Sequence, residues 1–183
     1  MELIEFDKDG LINSINQLSS KHKEDLSNIF SAEEFKEYIE NNDFDKAYDY
    51  FDRNTQLFNY RLTSILLLSN IDILKHLSRI PDNCFYSLPI LNITIPTNII
   101  KIGSDAFSSV KTLNTIYIPK TVKFIDWYVF SNSNIKEINF EVSEEEAYDI
   151  FNGRVSFSAF KKYLGTDIGA GKSVKLNFNV KRD

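Results

Sequence analysis

The stretch at residues 165–173, with the sequence GTDIGAGKS, comes close to a phosphate-binding loop. The motif GxxxxGK[ST] cradles phosphates with the backbone N–H groups of a glycine-rich turn and with its lysine. It needs a glycine at position 166, where this chain has Thr166, and a strand before and a helix after the loop. The order predicted here is helix, loop and strand. We therefore expect a turn that leads into a final strand, and no nucleotide site.

Histidine and cysteine, which often bind metals or attack substrates, are scarce in this chain. The two histidines, His22 and His76, lack cysteines or carboxylates at the spacing of a metal-ligand set. The single cysteine, Cys84, has no neighbouring base that would activate it as a nucleophile. The acidic run at residues 144–146 suits the first turn of a capped helix. We expect no enzymatic activity, no catalytic residue, no metal and no cofactor.

The middle of the chain contains a sequence repeat. The elements formed by this repeat would have to position any binding site in that region. The sequence IPTNIIKIGSDAF at residues 95–107 returns 23 residues later as IPKTVKFIDWYVF at residues 118–130. A degenerate earlier copy, IPDNCF, occupies residues 80–85. Apolar lead-ins accompany the copies, and a third one follows them: Ile90, Ile93, Ile95; Leu113, Ile116, Ile118; and Ile135, Ile138, Phe140. Units of this length bury their apolar faces only by stacking on one another.

Stacking predicts which residues meet. Apolar residues two positions apart point to the same side of a strand. Equivalent residues of successive copies therefore form three ladders, the third on the opposite wall: Ile93, Ile116, Ile138; Ile95, Ile118, Phe140; and Phe85, Phe107, Phe130.

These residues resemble the BspA-type (Treponema pallidum-type) leucine-rich repeat family, whose copies follow L-x-x-I-x-I-P-x-x-V-x-x-I-G-x-x-A-F. Residues 90–107 match nearly every position, whereas residues 113–130 have Asp126 in place of the glycine and Val129 in place of the alanine. The layout also resembles small leucine-rich-repeat proteins encoded by bacteriophages and prophages of low-GC bacteria. The resemblance implies protein–protein interaction and no catalytic residues.

Helical periodicity marks the flanks of the repeats. Ser31 with Glu34, and Ser143 with Glu146, have the spacing of capping boxes, and Asp43 suits a helix start. We also expect a helix after Gly10 that carries Leu11, Ile15 and Leu18, a short strand at Leu3 and Ile4, and a helix at residues 59–68. Alternation at Val174, Leu176, Phe178 and Val180 predicts a final strand.

The predicted fold class is α+β. A helical N-terminal region at residues 1–69 leads into a short leucine-rich-repeat solenoid of two to three repeats at residues 70–140. Residues 141–183 form a C-terminal cap of helices plus a final strand. Exposed ends of a short repeat array must be covered, and we assign that role to the two flanks.

Two groups of residues are candidates for partner binding. The first consists of the strand positions that alternate with the buried ladders: Asn92, Thr94, Thr115, Tyr117, Glu137 and Asn139. They are expected to form one continuous sheet surface, with plain solvent exposure as the alternative. The second is Phe124, Trp127 and Tyr128, where the previous copy has Lys101, Ser104 and Asp105. These aromatics are either interface anchors or, as we favour, are covered by the C-terminal helices.

The charge of the chain is uneven. The net charge is −5, and residues 1–60 hold 14 acidic and 6 basic residues. An acidic balance argues against direct nucleic-acid binding, which needs Lys and Arg against phosphates. The N-terminus lacks the pattern of a signal peptide and no apolar run is long enough to span a membrane. We therefore expect a cytoplasmic protein, in the host cytoplasm if phage-encoded.

The leading hypothesis is a non-catalytic protein-binding module, phage-encoded and acting on a host protein, with a homodimer left open. The alternative is an acidic inhibitor, a nucleic-acid mimic, of a nucleic-acid-acting host defence enzyme. Its carboxylates would be Glu33, Glu34, Glu37, Glu40, Asp43, Asp45, Asp49 and Asp52.

Overall fold

A computed structural model describes residues 4–17, 20–54, 75, 77–126, 128–151 and 174–181 of the chain. The N-terminal elements are β1 (Ile4–Phe6), α1 (Lys8–Asn16), α2 (Ser20–Ser31), α3 (Glu33–Glu40) and α4 (Phe44–Asn54). The repeat region supplies β2 (Arg79–Ile80), β3 (Ile90–Thr94), β4 (Lys101–Ile102), β5 (Thr115–Ile118), β6 (Phe124–Ile125) and β7 (Glu137–Phe140). The helix α5 (Glu144–Ile150) and the strand β8 (Lys175–Asn177) follow. The chain therefore mixes helices and strands, as predicted.

The strands in the described part of the chain form two sheets. One is five-stranded with the order β1-β3-β5-β7-β8, and the other is three-stranded with the order β2-β4-β6. Among the described strands, every pairing is parallel except that of β1 with β3, which is antiparallel. The copies at residues 90–107 and 113–130 each contribute one strand to each sheet, so the chain passes from one sheet to the other and back.

The predicted ladders are confirmed by the strand register. Ile93 pairs with Ile116, and Ile116 pairs with Ile138, each in the same row of the five-stranded sheet. Ile118 pairs with Phe140 in the second row, and the buried Ile95 donates its N–H to the carbonyl of Tyr117 at 3.0 Å.

The phenylalanine ladder is a stack of rings. The centroids of Phe85 and Phe107 are 5.0 Å apart, and those of Phe107 and Phe130 are 5.9 Å apart. All three side chains are buried in a core that also contains the isoleucine ladders. The ring stack forms because successive copies are nearly equal in length, so the same side chain arrives at the same height in each.

The turns after β2, β4 and β6 share a backbone conformation that the repeat pattern does not predict. Asn83, Asp105 and Tyr128 have φ values of 56°, 55° and 55°. Four residues further on, Ser87, Ser109 and Asn132 have φ values of 57°, 61° and 54°. Left-handed residues turn the chain sharply, and Asn and Asp accept this conformation most readily among non-glycine residues.

The helices α2, α3 and α4 have a second small core, which consists of Ile29, Phe35, Ala47 and Phe51. Tyr48 on the same helix as Phe51 belongs instead to the main core. The helix α4 also bonds to the first repeat strand, because the hydroxyl of Ser78 donates to Asp45 at 2.8 Å and Arg79 forms an ion pair with Asp49. The helical part is therefore fastened to the start of the repeats.

The capping box predicted at Ser31 is wrong. The helix α2 continues through Ser31, whose hydroxyl donates to the carbonyl of Asn28 at 3.1 Å. The N-cap of α3 is Ala32, which has no side-chain hydrogen bond, and Glu34 accepts a hydrogen bond from the hydroxyl of Tyr38. A serine that ends one helix cannot also adopt the extended backbone that caps the next.

The helix starts predicted at Asp43 and Ser143 are confirmed. The backbone N–H of Lys46 donates to Asp43, which caps α4, and α5 begins with a complete capping box of Ser143 and Glu146. The strand expected at Leu3 and Ile4 begins at Ile4 in the described part of the chain. The predicted helix at residues 59–68 lies outside the described residues.

The helix expected after Gly10 begins earlier, at Lys8, because the carboxylate of Asp7 accepts from the N–H of Gly10 and so caps it. Leu18 lies outside the described residues. Among the helices that the structure describes, none is both long enough and apolar enough to cross a membrane.

Candidate functional site

The six strand positions predicted for partner binding lie together on one side of the five-stranded sheet. We call them the sheet face: Asn92, Thr94, Thr115, Tyr117, Glu137 and Asn139. Asn92 pairs with Thr115, which pairs with Glu137, and this first row continues to Lys175. Thr94 pairs with Tyr117, which pairs with Asn139, and this second row continues to Asn177. The side chains alternate with the buried ladders, so the two rows are adjacent and run across the sheet.

The two terminal strands hold both ends of the sheet face. On one side, the amide of Asn92 donates to Glu5 of β1 at 2.5 Å. On the other side, the amide of Asn177 donates to Asn139 at 2.7 Å and also to Glu137. These contacts join residues that are far apart in sequence, which is why the repeat pattern does not reveal them.

Tyr117 is also engaged by the C-terminal segment. Its hydroxyl donates to the carbonyl of Val180 at 3.2 Å, 63 residues further along the chain. All six residues of the sheet face are half-buried. The sheet face is therefore a half-buried polar surface, with Thr115 and Tyr117 of the middle strand β5 at its centre.

The aromatic group of the second candidate site is only partly described. Phe124 is half-buried in β6, next to Lys101 in register. The ammonium of Lys101 lies 5.0 Å from the centre of the Phe124 ring and 3.4 Å from the carboxylate of Asp126. Trp127 lies outside the described residues, so its environment stays a prediction.

Tyr128 is 53% exposed although its side chain is large and aromatic. Most of the C-terminal region expected to cover these aromatics lies outside the described residues, so that expectation stays a prediction. Its φ of 55° is unusual for a bulky side chain. Side chains held in a strained conformation often belong to functional sites, and exposed tyrosines are frequent interface anchors.

The acidic residues of the alternative hypothesis lie on α3 and α4, and several of them are paired within the chain. Glu33 pairs with Lys36, Asp43 with Lys46 and Asp49 with Arg79. A hydrogen bond from Lys46 lowers the pKa of the Asp43 carboxyl, and the hydrogen bond to Glu34 raises the pKa of Tyr38. Glu37 and Glu40 are exposed, whereas the side chain of Asp52 is not among those described.

A shallow groove of about 370 Å³ lies beside these acids, lined by Tyr38, Lys46, Asp49 and Arg53. Its walls carry both signs of charge.

The residues considered for chemistry are only partly described. Cys84 is fully buried in the ladder position that Ala106 and Val129 occupy in the later copies. Residues 144–146 form the first turn of α5, where Ser143 and Glu146 each accept the backbone N–H of the other. The glycine-rich stretch at 165–173, the side chain of His22 and all of His76 lie outside the described part of the chain. Among the described residues, His, Cys, Asp and Glu do not form a group of three or more that could hold a metal ion.

Mixed helices and strands, with parallel pairing between the repeat strands of both sheets, define an α+β protein with a leucine-rich-repeat-type domain. The model of the BspA type leucine rich repeat region matches residues 52–154 in six copies. Because this match covers more than half of the chain, the chain belongs to the BspA-type leucine-rich repeat family. No curated protein and no solved structure matches the chain. Proteins of this repeat class typically are non-catalytic and bind other proteins.

Proposed function

We propose that this chain is a non-catalytic protein-binding module, encoded by a phage and acting on a host protein in the host cytoplasm. Residues 70–140 would be a short leucine-rich-repeat solenoid, with residues 1–69 and 141–183 covering its ends. Family membership supports protein binding. The phage origin and the host target rest on the layout of a helical region followed by a few repeats.

The observation that carries the proposal is the register of the sheet face. Two rows of polar side chains run without a break from Asn92 to Glu137 and from Thr94 to Asn139. Interfaces combine such polar groups with a few aromatic anchors. Tyr117 supplies an aromatic ring within the sheet face, and Tyr128 supplies a second, exposed one on another part of the surface.

The decisive experiment is capture of a partner from bacterial lysate with variants of the full chain. Thr115→Arg places a long charged side chain in the centre of the sheet face and should abolish capture. Thr97→Arg, the same change at an exposed position outside the sheet face, should leave capture intact. Equal capture by both variants would remove the sheet face from the proposal.

A second pair of variants tests the aromatic anchor. Tyr117→Ala removes the ring and should weaken capture strongly. Tyr117→Phe keeps the ring but loses the hydroxyl that binds Val180, so it separates the contribution of the ring from that of the C-terminal segment. Weak capture with both variants would show that the hydroxyl, and not the ring, is required.

The alternative function, inhibition of a nucleic-acid-acting host enzyme, is favoured by one observation. Glu33, Glu37 and Glu40 are exposed on α3 and lie at helical spacing on one side. Such an inhibitor would bind a basic groove with an affinity that falls steeply with salt. Glu37→Gln with Glu40→Gln should then abolish binding, whereas Thr115→Arg should not affect it.

A further inference from the structure

The side-chain amide of Asn177 bridges the two rows of the sheet face. Its Nδ2 atom donates one hydrogen bond to Oδ1 of Asn139 at 2.7 Å and another to Oε1 of Glu137. Glu137 and Asn139 lie two residues apart on β7, and Asn177 is the register partner of Asn139 on β8. An amide nitrogen carries two hydrogens, so this single group makes both contacts at once.

The direction of both bonds follows from the charge of Glu137. An ionised carboxylate only accepts hydrogen bonds, so Asn177 must turn its NH2 group, and not its oxygen, towards Glu137. The same NH2 group also faces Asn139, which must then accept with its own side-chain oxygen. Glu137 therefore sets the orientation of the Asn139 amide through Asn177.

Each of the two β7 residues is left with one polar group of defined character. The two donors that reach Glu137, Asn177 and Lys175, bind the same oxygen, Oε1. Among the described residues, no donor bonds Oε2 of Glu137 and no acceptor bonds Nδ2 of Asn139. The sheet face therefore offers a hydrogen-bond acceptor at Glu137 and a donor at Asn139.

The amide of Asn177 holds this arrangement more firmly than the ion pair does. Asn177, Glu137 and Asn139 are half-buried, whereas Lys175 is exposed and lies 3.3 Å from the Glu137 carboxylate. Water screens an exposed ion pair strongly, and a hydrogen bond in a less solvated place is stronger. Side chains that are already fixed in one orientation lose less conformational entropy when a partner binds. Asn177 lies beyond the family match, which ends at residue 154, so the repeat pattern does not reveal this role.

We propose that Asn177 is a positioning residue of the sheet face, which keeps Glu137 as an acceptor and Asn139 as a donor for the bound protein. The partner then has a hydrogen-bond donor opposite Glu137 and an acceptor opposite Asn139. This inference deepens the protein-binding proposal and rests on it, because it concerns the same surface. It adds a residue outside the repeats that acts through two residues of β7.

Exchange of side-chain amide protons with water, measured by NMR on the full chain, tests the positioning without a partner. The two side-chain protons of Asn177 should exchange several-fold more slowly than those of Asn139, because only the protons of Asn177 are hydrogen-bonded. Equal exchange at the two positions, or slower exchange at Asn139, would overturn the proposal.

Asn177→Asp tests the polarity. The new carboxylate is an acceptor, so the Asn139 amide should turn round and its side-chain protons should become the slowly exchanging ones. The backbone N–H groups of Lys175 and Val180, which donate to β7 and the residue before it, report whether β8 stays in place. Unchanged exchange at Asn139 with β8 in place contradicts the proposal, and if β8 detaches, the wild-type comparison decides.

Capture from bacterial lysate tests the effect on binding. Asn177→Leu keeps the bulk of the side chain but removes the amide, and should weaken capture several-fold. Asn28→Leu, the same change at an exposed position on α2, should capture as wild type does. If Thr115→Arg abolishes capture but Asn177→Leu does not weaken it, the positioning role is overturned and the protein-binding proposal stands. If Thr115→Arg has no effect, the sheet face is removed from the proposed function and this inference fails with it.

Discussion

Asp105 and Tyr128 occupy equivalent positions in neighbouring copies, and both have a backbone φ of 55°. The first copy has Asn83 at this position, with a φ of 56°. Asn and Asp tolerate the left-handed conformation because their short polar side chains bond locally, whereas for most L-residues it costs about 1 kcal/mol or more. The left-handed backbone at Tyr128 therefore costs conformational free energy that Asn83 and Asp105 avoid in the other two copies.

Tyr128→Asn is expected to raise the free energy of unfolding by about 1 kcal/mol. The tyrosine ring is largely exposed, so its loss removes little buried area. Chemical denaturation followed by circular dichroism measures the change. The reverse exchange, Asp105→Tyr, should destabilise the chain by a similar amount. If the Tyr128→Asn protein is less stable than wild type, the tyrosine ring stabilises the fold by packing within the molecule, which would contradict a role as an exposed interface anchor.

Gly103→Ala should destabilise the protein by about 2 kcal/mol or more, since overpacking of a fixed site forces the backbone to move. A Cβ at this buried position would lie 2.7 Å from the backbone nitrogen of Asp82 and 2.9 Å from the carbonyl carbon of Pro81. Both are backbone atoms of the preceding copy, so neither can rotate away. Thermal unfolding measures the loss, with Thr97→Ala at an exposed turn as the control. Equal melting temperatures of the two variants would contradict the close approach of these copies.

Ser133→Val should stabilise the protein by about 1 kcal/mol, through relief of a buried hydroxyl and gain of apolar burial. Ser133 is 1% exposed, and its hydroxyl has no hydrogen-bond partner among the described residues. Leu88 and Val110 are the equivalent residues of the earlier copies. In all three copies, the backbone N–H of this residue donates to the carbonyl of the phenylalanine three residues earlier. Urea unfolding of Ser133→Val and Ser133→Ala measures the effect. Destabilisation by both would indicate that the hydroxyl has a partner.

The capping box of α5 should make stability depend on pH in the acidic range. Hydrogen bonds from Ser143 hold the pKa of Glu146 below its ordinary value. A carboxyl whose folded pKa is lowered stabilises the fold above its unfolded pKa, and this contribution is lost as the pH falls below about 4.5 and through the folded pKa.

Glu146→Gln should therefore lower the melting temperature at neutral pH and converge with wild type at low pH. Thermal unfolding at a series of pH values measures this. Glu145→Gln, at an exposed neighbour outside the capping box, is the control. A difference that stays constant with pH would contradict the role of the charged carboxylate.

The sequence determined the repeat and its consequences. Side chains alternate along a strand with a period of two, and the copies recur at nearly constant length. The isoleucine ladders and the phenylalanine ladder therefore follow from spacing alone. The same alternation is sufficient to assign the six residues of the sheet face to one side of the strands. The final strand follows from the alternation of Leu176 and Phe178 with polar neighbours.

Only the tertiary structure decided how the repeat begins and ends. The bonds of Asn92 to Glu5 and of Tyr117 to Val180 join distant parts of the chain, and no local pattern encodes which free sheet edge a terminal strand will take. The failed cap at Ser31 has a similar origin, since it depends on where the preceding helix stops. Local periodicity fixes which side of an element is apolar, whereas the partner of that element depends on the edges and surfaces left open by the rest of the fold.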